Sequence, residues 1–155
     1  MTHDGAMHDE PPAPPAATTI PLALRLQPGQ DLRRALEAAV AAQGMQAAFV
    51  VAGIGSLGPA RIRLAGAQAE RVIDADCELL TLSGSLAANG SHLHLSVSDE
   101  RGDVIGGHAG YGCIVRTTAE VLLALLPGWQ FSREPDAATG WAELVVRRPG
   151  AEPPP

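Results

Sequence analysis

The segment CELLTLSGSLAANGSHLHLSVSDERGDVIGGH, residues 77–108, determines the fold prediction. Apolar and polar residues alternate along most of it, which is the pattern of half-buried β-strands. Asn89-Gly90 is a dipeptide typical of a two-residue hairpin turn, and the polar run DERGD at 99–103 predicts a second turn. The segment therefore predicts three successive antiparallel strands, of which the middle one covers residues 91–98.

One helix and further strands are predicted upstream of this segment. Alternating leucines in PLALRL, residues 21–26, indicate a first strand. Asp31 then precedes apolar residues at helical spacing and Gly44 follows them, so we expect a capped helix between these two positions. The run AAFVVA, residues 47–52, predicts a strand that is buried on both faces.

Downstream, the pattern predicts additional strands. The stretches YGCIVRTT (111–118) and AEVLLALLP (119–127) indicate two strands, although the second also fits a short helix. The stretches WQFSRE (129–134) and GWAELVVRR (140–148) are expected as late strands or as tail segments. Eight to ten short strands with tight turns and one helix indicate an α+β domain with a mainly antiparallel sheet.

A glycine-rich sequence follows the apolar run at 47–52. Gly53, Gly55 and Gly58 have the G-x-G-x-x-G spacing of dinucleotide-binding loops. That function requires the glycines to open a helix, whereas Pro59 and the alternating stretch ARIRL come next. The sequence therefore favours a turn or bulge between strands.

The composition fits one folded domain, residues 18–148. The 155 residues are 46% apolar and only 3% aromatic, so we expect an aliphatic core. Residues 1–17 are rich in proline, alanine and acidic residues and predict a disordered tail, and residues 149–155 predict a second, short tail.

Charge and hydropathy restrict the classes of partner. The net charge is −6, which argues against strong autonomous DNA binding because duplex surfaces need clustered basic residues. The longest aliphatic run, 121–126, is too short to cross a membrane, and the sequence has no signal-peptide pattern, so a cytoplasmic location is expected. Cys77 and Cys113 are expected as reduced, partly buried thiols.

Three histidines form the candidate site. On a strand over 91–98, Leu93 and its i+2 neighbours point inward, whereas His92 and His94 share the opposite face. The turn at 99–103 can return His108 beside them on an antiparallel neighbour. Three imidazoles with one open position are the pattern of a catalytic zinc, although another divalent metal or a plain solvated sheet face remains an alternative.

Glu78 is the candidate acid/base. It opens the apolar strand ELLTLSGS, where a buried carboxylate requires a partner or a shifted pKa. The alternative is a surface residue at the edge of the strand.

Several phrases in order resemble the plants-and-prokaryotes-conserved (PPC) domain family. They are LRLQPGQDLRRALEAAV, AAFVVAGIGSLGPARIRL, the whole segment 77–108, and GCIVRTTAEVLL, and together the resemblance covers about residues 20–146. It implies an α+β domain with a curved antiparallel sheet similar to that of acetolactate decarboxylase, and a homotrimer. It also implies that His92, His94 and His108 correspond to a three-histidine zinc site, and Glu78 to the glutamate of the family's ELLSLSG-like stretch.

The same resemblance brings a DNA-binding label. In plants the domain follows AT-hooks with an Arg-Gly-Arg-Pro core, which this sequence lacks; its nearest approach is RRPG at 147–150. Three hypotheses remain open: a trimeric metal-binding module with a regulatory, DNA-associated role, a metal-dependent lyase or decarboxylase acting on a small oxygenated substrate, and a structural oligomer without metal.

Overall fold

The structure is a computed structural model that describes residues 18–148. Within that range the chain forms ten strands and one helix. The terminal segments predicted as tails, 1–17 and 149–155, lie outside the described residues. The elements in chain order are β1 (Ile20–Leu26), α1 (Leu32–Ala42), β2 (Ala47–Leu57), β3 (Ala60–Arg63), β4 (Arg71–Ile73), β5 (Cys77–Ala87), β6 (Gly90–Ser98), β7 (Val104–Ala109), β8 (Val115–Leu125), β9 (Gln130–Pro135) and β10 (Ala142–Arg147).

Eight strands form one sheet in the order β1-β8-β2-β5-β6-β7-β3-β4, and every adjacent pair is antiparallel. The predicted three-strand unit of residues 77–108 is confirmed as β5-β6-β7 at the middle of this sheet. A mostly antiparallel sheet with one helix is the α+β class that the sequence indicated.

Helix α1 covers one face of the sheet, here called the inner face. Asp31 caps its first turn by accepting the Arg34 N–H at 3.0 Å, and Gly44 follows its end with φ +66°. Leu32 and Leu36 are fully buried against the inward side chains of the strands. The largest fully buried side chains are Leu32, Leu36, Leu57, Ile62, Leu86, Leu93, Leu123, Leu125, Val97, Val115 and Cys113.

The hairpin β9–β10 forms a separate two-stranded sheet that docks on the opposite, outer face. Phe131 is buried there and makes an edge-to-face contact with Phe49, with ring centroids 5.4 Å apart. The backbone carbonyl of Phe131 also accepts a hydrogen bond from the Ala88 N–H, and the backbone N–H of Phe131 donates one to the Gln46 carbonyl. The hairpin therefore covers only one part of the outer face.

The prediction of β2 was wrong in its length and burial. The strand continues to Leu57, and Val51 is 58% exposed, because the outer face of the sheet is uncovered at that position. Gly53 and Gly55 lie inside the strand, close to two shifts in its register with β8, and Gly58 lies in the link to β3. The glycines therefore mark a bulge within β2, and the chain does not turn at Gly53.

Residues 111–127 also differ from the prediction. They contribute one strand, β8, rather than two strands or a strand and a helix. Its residues alternate between buried Val121 and Leu123 and the more exposed Leu122, and both β1 and β2 pair with it.

Both cysteines are free thiols in the core. Burial raises the pKa of Cys113 to about 11, and burial is also the main cause of the raised pKa of Cys77. Thiols of this kind are poor nucleophiles at neutral pH. In the described part of the chain, no helix is long and apolar enough to span a membrane.

Candidate metal centre

Strand pairing brings the three candidate histidines together on the outer face. His94 lies directly opposite His108 in the β6–β7 ladder, and His92, two residues before His94, lies on the same side of β6. The Nε2 atom of His92 is 3.0 Å from Nε2 of His94 and 3.1 Å from Nδ1 of His108. The juxtaposition that the turn at 99–103 predicted is therefore present.

Hydrogen bonds alone do not account for this convergence. A ring nitrogen carries either one hydrogen or one lone pair in the ring plane, yet Nε2 of His92 faces two other ring nitrogens at hydrogen-bond distance. A tetrahedral ion bonded at about 2.0–2.1 Å separates its nitrogen ligands by roughly 3.3 Å, close to the spacing observed. The three ligand atoms all lie within 4.8 Å of one another. The donor set thus fits a single metal ion.

The surroundings favour the neutral form of two of these imidazoles. Burial lowers the pKa of His92, and the charges of Arg133, His94 and His108 lower it further, against an opposing effect of Glu143. Burial also lowers the pKa of His108, followed by the charges of Arg63 and His94. Neutral imidazole is the form that binds metal ions, so the pocket holds both side chains ready for coordination.

Close backbone contact fixes the strands that carry the histidines. A Cβ atom on Gly84 of β5 would collide with the His92 carbonyl oxygen, and Gly84 has φ +138°. On β7, a Cβ atom on Gly107 would lie 2.6 Å from the Arg63 carbonyl oxygen. These glycines permit strand approaches that other residues would prevent.

Arg33 of α1 joins the two histidine-bearing strands beyond the end of their ladder. Its Nη2 donates to the Ser91 carbonyl at 2.7 Å, and its Nη1 donates to the Ala109 carbonyl at 3.2 Å. Ser91 immediately precedes His92, and Ala109 immediately follows His108. The guanidinium therefore bridges the backbones of the two histidine-bearing strands at one end of the site.

Glu37, one turn later on α1, fixes the guanidinium. It accepts Arg33 Nε at 3.2 Å, the Ser91 hydroxyl at 2.5 Å and the Tyr111 hydroxyl at 3.0 Å. The Arg33 guanidinium also stacks on the Tyr111 ring at 4.3 Å. This network ties the helix to the strands of the site.

A cavity of about 670 Å³ opens beside His92 and His108. Most of its wall comes from the end of the β6–β7 pair, the β5–β6 turn, the loop 65–70 between β3 and β4, and the hairpin β9–β10, and α1 and β3 contribute one arginine each. The charged and aromatic residues of the wall are Arg33, Arg63, Glu70, Arg133, Trp141 and Glu143. A cavity of this volume is within the range of small-molecule sites.

Glu78 is not part of this cluster within one chain. Glu78 is exposed on β5 and pairs with Ser98 of β6. Ser98 is four residues from His94, so Glu78 lies about 13 Å along the strand from the histidine. At this distance its carboxylate does not hydrogen-bond to the histidines of the same chain. Among residues 18–148, no side-chain hydrogen bond or ion pair supports its proposed acid/base role.

Sequence reasoning missed the arginines around the site. Arg33 contacts carbonyl groups 58 and 76 residues away in the chain, so no local pattern indicates it. Arg63 could have been found from the sheet register, because it lies directly opposite His108 in the β3–β7 pair.

Comparisons with known proteins agree with this architecture. The curated bifunctional protein GlmU of Synechococcus sp. (strain JA-2-3B'a(2-13)) is 46% identical over 142 residues, which are 92% of this chain but 22% of that protein. The chain thus spans about a fifth of the length of this relative.

Solved structures resemble nearly the whole fold. A hypothetical protein from Salmonella enterica is 40% identical with a TM-score of 0.82, covering 86% of this chain and 97% of that one. A protein from Archaeoglobus fulgidus, named as metal-containing, is 25% identical with a TM-score of 0.74 over 84% and 96%. A Ralstonia eutropha protein, provisionally named as DNA-binding, shares the fold at 21% identity, with a TM-score of 0.66 over 82% and 90%.

The family model of the Plants and Prokaryotes Conserved (PCC) domain matches residues 15–127. The match includes α1 and all eight strands of the large sheet, among them the strands that bear the three histidines. The predicted resemblance to the PPC domain family is thereby confirmed, since PPC and PCC are two abbreviations of the same family name. The chain belongs to the Plants and Prokaryotes Conserved domain family.

Proposed function

We propose that the protein binds a divalent metal ion, with zinc favoured, through His92, His94 and His108. The observation that carries this proposal is the convergence of three ring nitrogens, two of them within 3.1 Å of Nε2 of His92. Imidazole ligands suit zinc among the common divalent ions. The name of the Archaeoglobus relative as metal-containing is consistent with this function.

The cavity supports a second candidate function, which is metal-dependent catalysis on a small oxygenated substrate by a lyase or decarboxylase reaction. Three protein ligands leave a position for a substrate oxygen, and a bound metal supplies Lewis-acid polarisation of a carbonyl or carboxylate there. The chain's own contribution is to favour the neutral form of His92 and His108, whose pKa values are lowered by burial and neighbouring positive charges, and to enclose the substrate between the hairpin and the loop 65–70. Glu78 is too distant to transfer protons at this site within one chain.

We also propose that the protein is a homotrimer, as the family resemblance implied. Val51, Ile54 and Leu122 form an exposed apolar patch on the outer face, here called the outer apolar patch. Uncovered sheet faces of this kind are typical of subunit interfaces.

DNA association has weaker support. It rests on the family's label and on the name of the Ralstonia protein, which shows only a shared fold. The net charge of −6 opposes binding to a polyanion, and the Arg-Gly-Arg-Pro core is absent from the sequence.

Elemental analysis of protein purified without an affinity tag tests the metal proposal. We expect about one zinc ion per chain in the wild type and nearly none in His94→Ala, because two imidazoles leave too few ligands. His8→Ala is the matched control and should retain the wild-type metal content. Equal and negligible metal in the wild type and His94→Ala would favour the metal-free structural oligomer instead.

A further inference from the structure

Two arginines flank the histidine cluster on opposite sides. Arg63 of β3 lies directly opposite His108, which in turn lies opposite His94. On the other side, Arg133 of β9 donates from Nη2 to the Ser85 hydroxyl at 2.7 Å, and Ser85 lies directly opposite His92. Both arginines line the same cavity as His92 and His108.

Neither guanidinium is neutralised by a close carboxylate. Among residues 18–148, ion pairs within 4.0 Å involve Arg33, Arg34, Arg101, Arg116 and Arg147, but not Arg63 or Arg133. The carboxylates of Glu70 and Glu143 line the same cavity without forming such a pair. The cavity therefore contains two arginines with no carboxylate of the described residues within 4.0 Å, although Glu143 acts on Arg133 at longer range.

Arg133 is held in place although its hydrogen bonding is incomplete. Its backbone N–H donates to Oδ1 of Asn89 at 2.7 Å, and its carbonyl accepts Nδ2 of Asn89 at 2.9 Å. Its Nε is shielded from solvent and has no hydrogen-bond partner among the described residues. A fixed guanidinium with unused donors is a favourable partner for the paired oxygens of a carboxylate or phosphate.

We propose that the cavity binds a small oxyanion, a carboxylate or a phosphate, between Arg63 and Arg133 and next to the three histidines. The inference rests on the proposed metal site and adds to it the chemical class of the ligand. The concave shape and volume of about 670 Å³ fit a metabolite-sized molecule, and Trp141 forms part of the wall, 5.5 Å from the Arg63 guanidinium. A nucleic acid backbone fits less well, because the cavity has the size of a metabolite and the net charge of the chain is −6.

Calorimetric titration of the zinc-loaded full chain tests this proposal. The probes are malonate, inorganic phosphate and the uncharged malonamide, and zinc content is measured first for every variant. We expect malonate or phosphate to bind at least about tenfold more tightly than malonamide, and the stronger of the two identifies the class of anion. Equal affinity for all three probes would overturn the inference.

Single substitutions assign the binding to the two arginines. Arg63→Gln and Arg133→Gln should each weaken anion binding about tenfold or more while zinc content stays unchanged. Arg63 makes no side-chain hydrogen bond or ion pair with the described residues and only stacks on Trp141. If Arg133→Gln does not fold, Arg63→Gln alone therefore decides the test. Arg116→Gln is the matched control, because Arg116 pairs with Asp76 outside the cavity. Anion affinity unchanged by Arg63→Gln and Arg133→Gln would contradict the proposal.

Two further arms separate this inference from the proposed metal function. If the wild type binds no zinc, the metal proposal fails, and titration of the metal-free protein then decides the anion proposal alone: arginine-dependent binding supports it and no binding overturns it.

A labelled 20-base-pair duplex is titrated at low salt in the second arm. Duplex binding that is tighter than phosphate binding and is lost in Arg63→Gln would replace the small-molecule proposal with DNA recognition.

Discussion

At the scale of single residues, the central feature is one ring nitrogen, Nε2 of His92, which faces two other imidazoles. The sequence predicted this because strand alternation places His92 and His94 on one face and a tight turn returns His108. The arginines around them could not be predicted in the same way, since Arg33 and Arg133 reach the site from a helix and a hairpin whose docking depends on the assembled core.

The lowered pKa values of His92 and His108 predict how the metal-free protein responds to acid. Below the ordinary histidine pKa of 6.5, the unfolded chain binds protons that the folded chain takes up only at lower pH. The free energy of unfolding therefore falls as the pH drops from about 6.5 toward and through the lowered folded-state values. Urea denaturation between pH 5 and 8, after chelation, measures this dependence.

The matched variant for this prediction is the double substitution His92→Gln and His108→Gln. It removes both groups and should flatten the pH dependence below 6.5 relative to the wild type. Parallel curves for the two proteins would show that other groups cause the acid sensitivity.

At the scale of elements, the helix and the three-strand unit were predicted because their signals are local. Asp31 and Gly44 bound α1, and Asn89-Gly90 fixes the β5–β6 hairpin. The limits of β2 and β8 could not be read in this way, because both faces of these strands are apolar. In β8, Leu122 is on the outer face between buried Val121 and Leu123. All three are apolar, so the sequence does not show the alternation of polar and apolar residues that identifies a half-buried strand.

The close contact between β5 and β6 predicts a large effect of a small substitution. Gly84→Ala should lower the free energy of unfolding by at least about 2 kcal/mol more than Gly90→Ala, measured by urea denaturation. Both glycines have similar positive φ values, 138° and 145°, but an added Cβ meets the His92 carbonyl at Gly84 and nothing within 4 Å at Gly90. Equal losses for the two variants would mean that backbone strain alone determines the cost.

The bridge from α1 to the site predicts that metal affinity depends on a residue that is not a ligand. Arg33→Met should weaken zinc binding about tenfold, because the backbone next to His92 and His108 loses its common donor. Arg33→Lys should fall between this variant and the wild type, since an ammonium group cannot reproduce the planar fork. Competition titration with a zinc chelator measures these affinities.

Arg34→Met is the control for this prediction. Arg34 also stacks on Tyr111 and lies on the same helix turn, but it makes no hydrogen bond to β6 or β7. The same loss of zinc affinity in Arg33→Met and Arg34→Met would indicate a general effect of the helix rather than the bridge.

At the scale of the whole molecule, the outer face of the sheet has two regions. The hairpin β9–β10 covers the part next to the histidines, whereas Val51 and Ile54 stay 58% and 56% exposed. Burial of such a patch between subunits is favourable by about 25 cal/mol per Å² of apolar surface. The fold of one chain thus leaves a surface that association would complete.

The proposed trimer predicts a change of mass on substitution within this surface. Val51→Asp or Leu122→Asp should convert the trimer to smaller species, because a carboxylate would be buried without a partner. Light scattering coupled to gel filtration measures the mass. Val104→Asp is the control, since Val104 is 61% exposed on β7 outside the outer apolar patch. A wild type that is monomeric at all concentrations would refute the trimer.

Anomalous diffraction at the zinc absorption edge tests most directly whether His92, His94 and His108 bind a metal ion. The crystals would contain tag-free protein supplied with one equivalent of Zn²⁺. We expect one strong anomalous peak at about 2.0–2.1 Å from Nε2 of His92, Nε2 of His94 and Nδ1 of His108. Density for three imidazoles in mutual contact with no anomalous peak between them would contradict it.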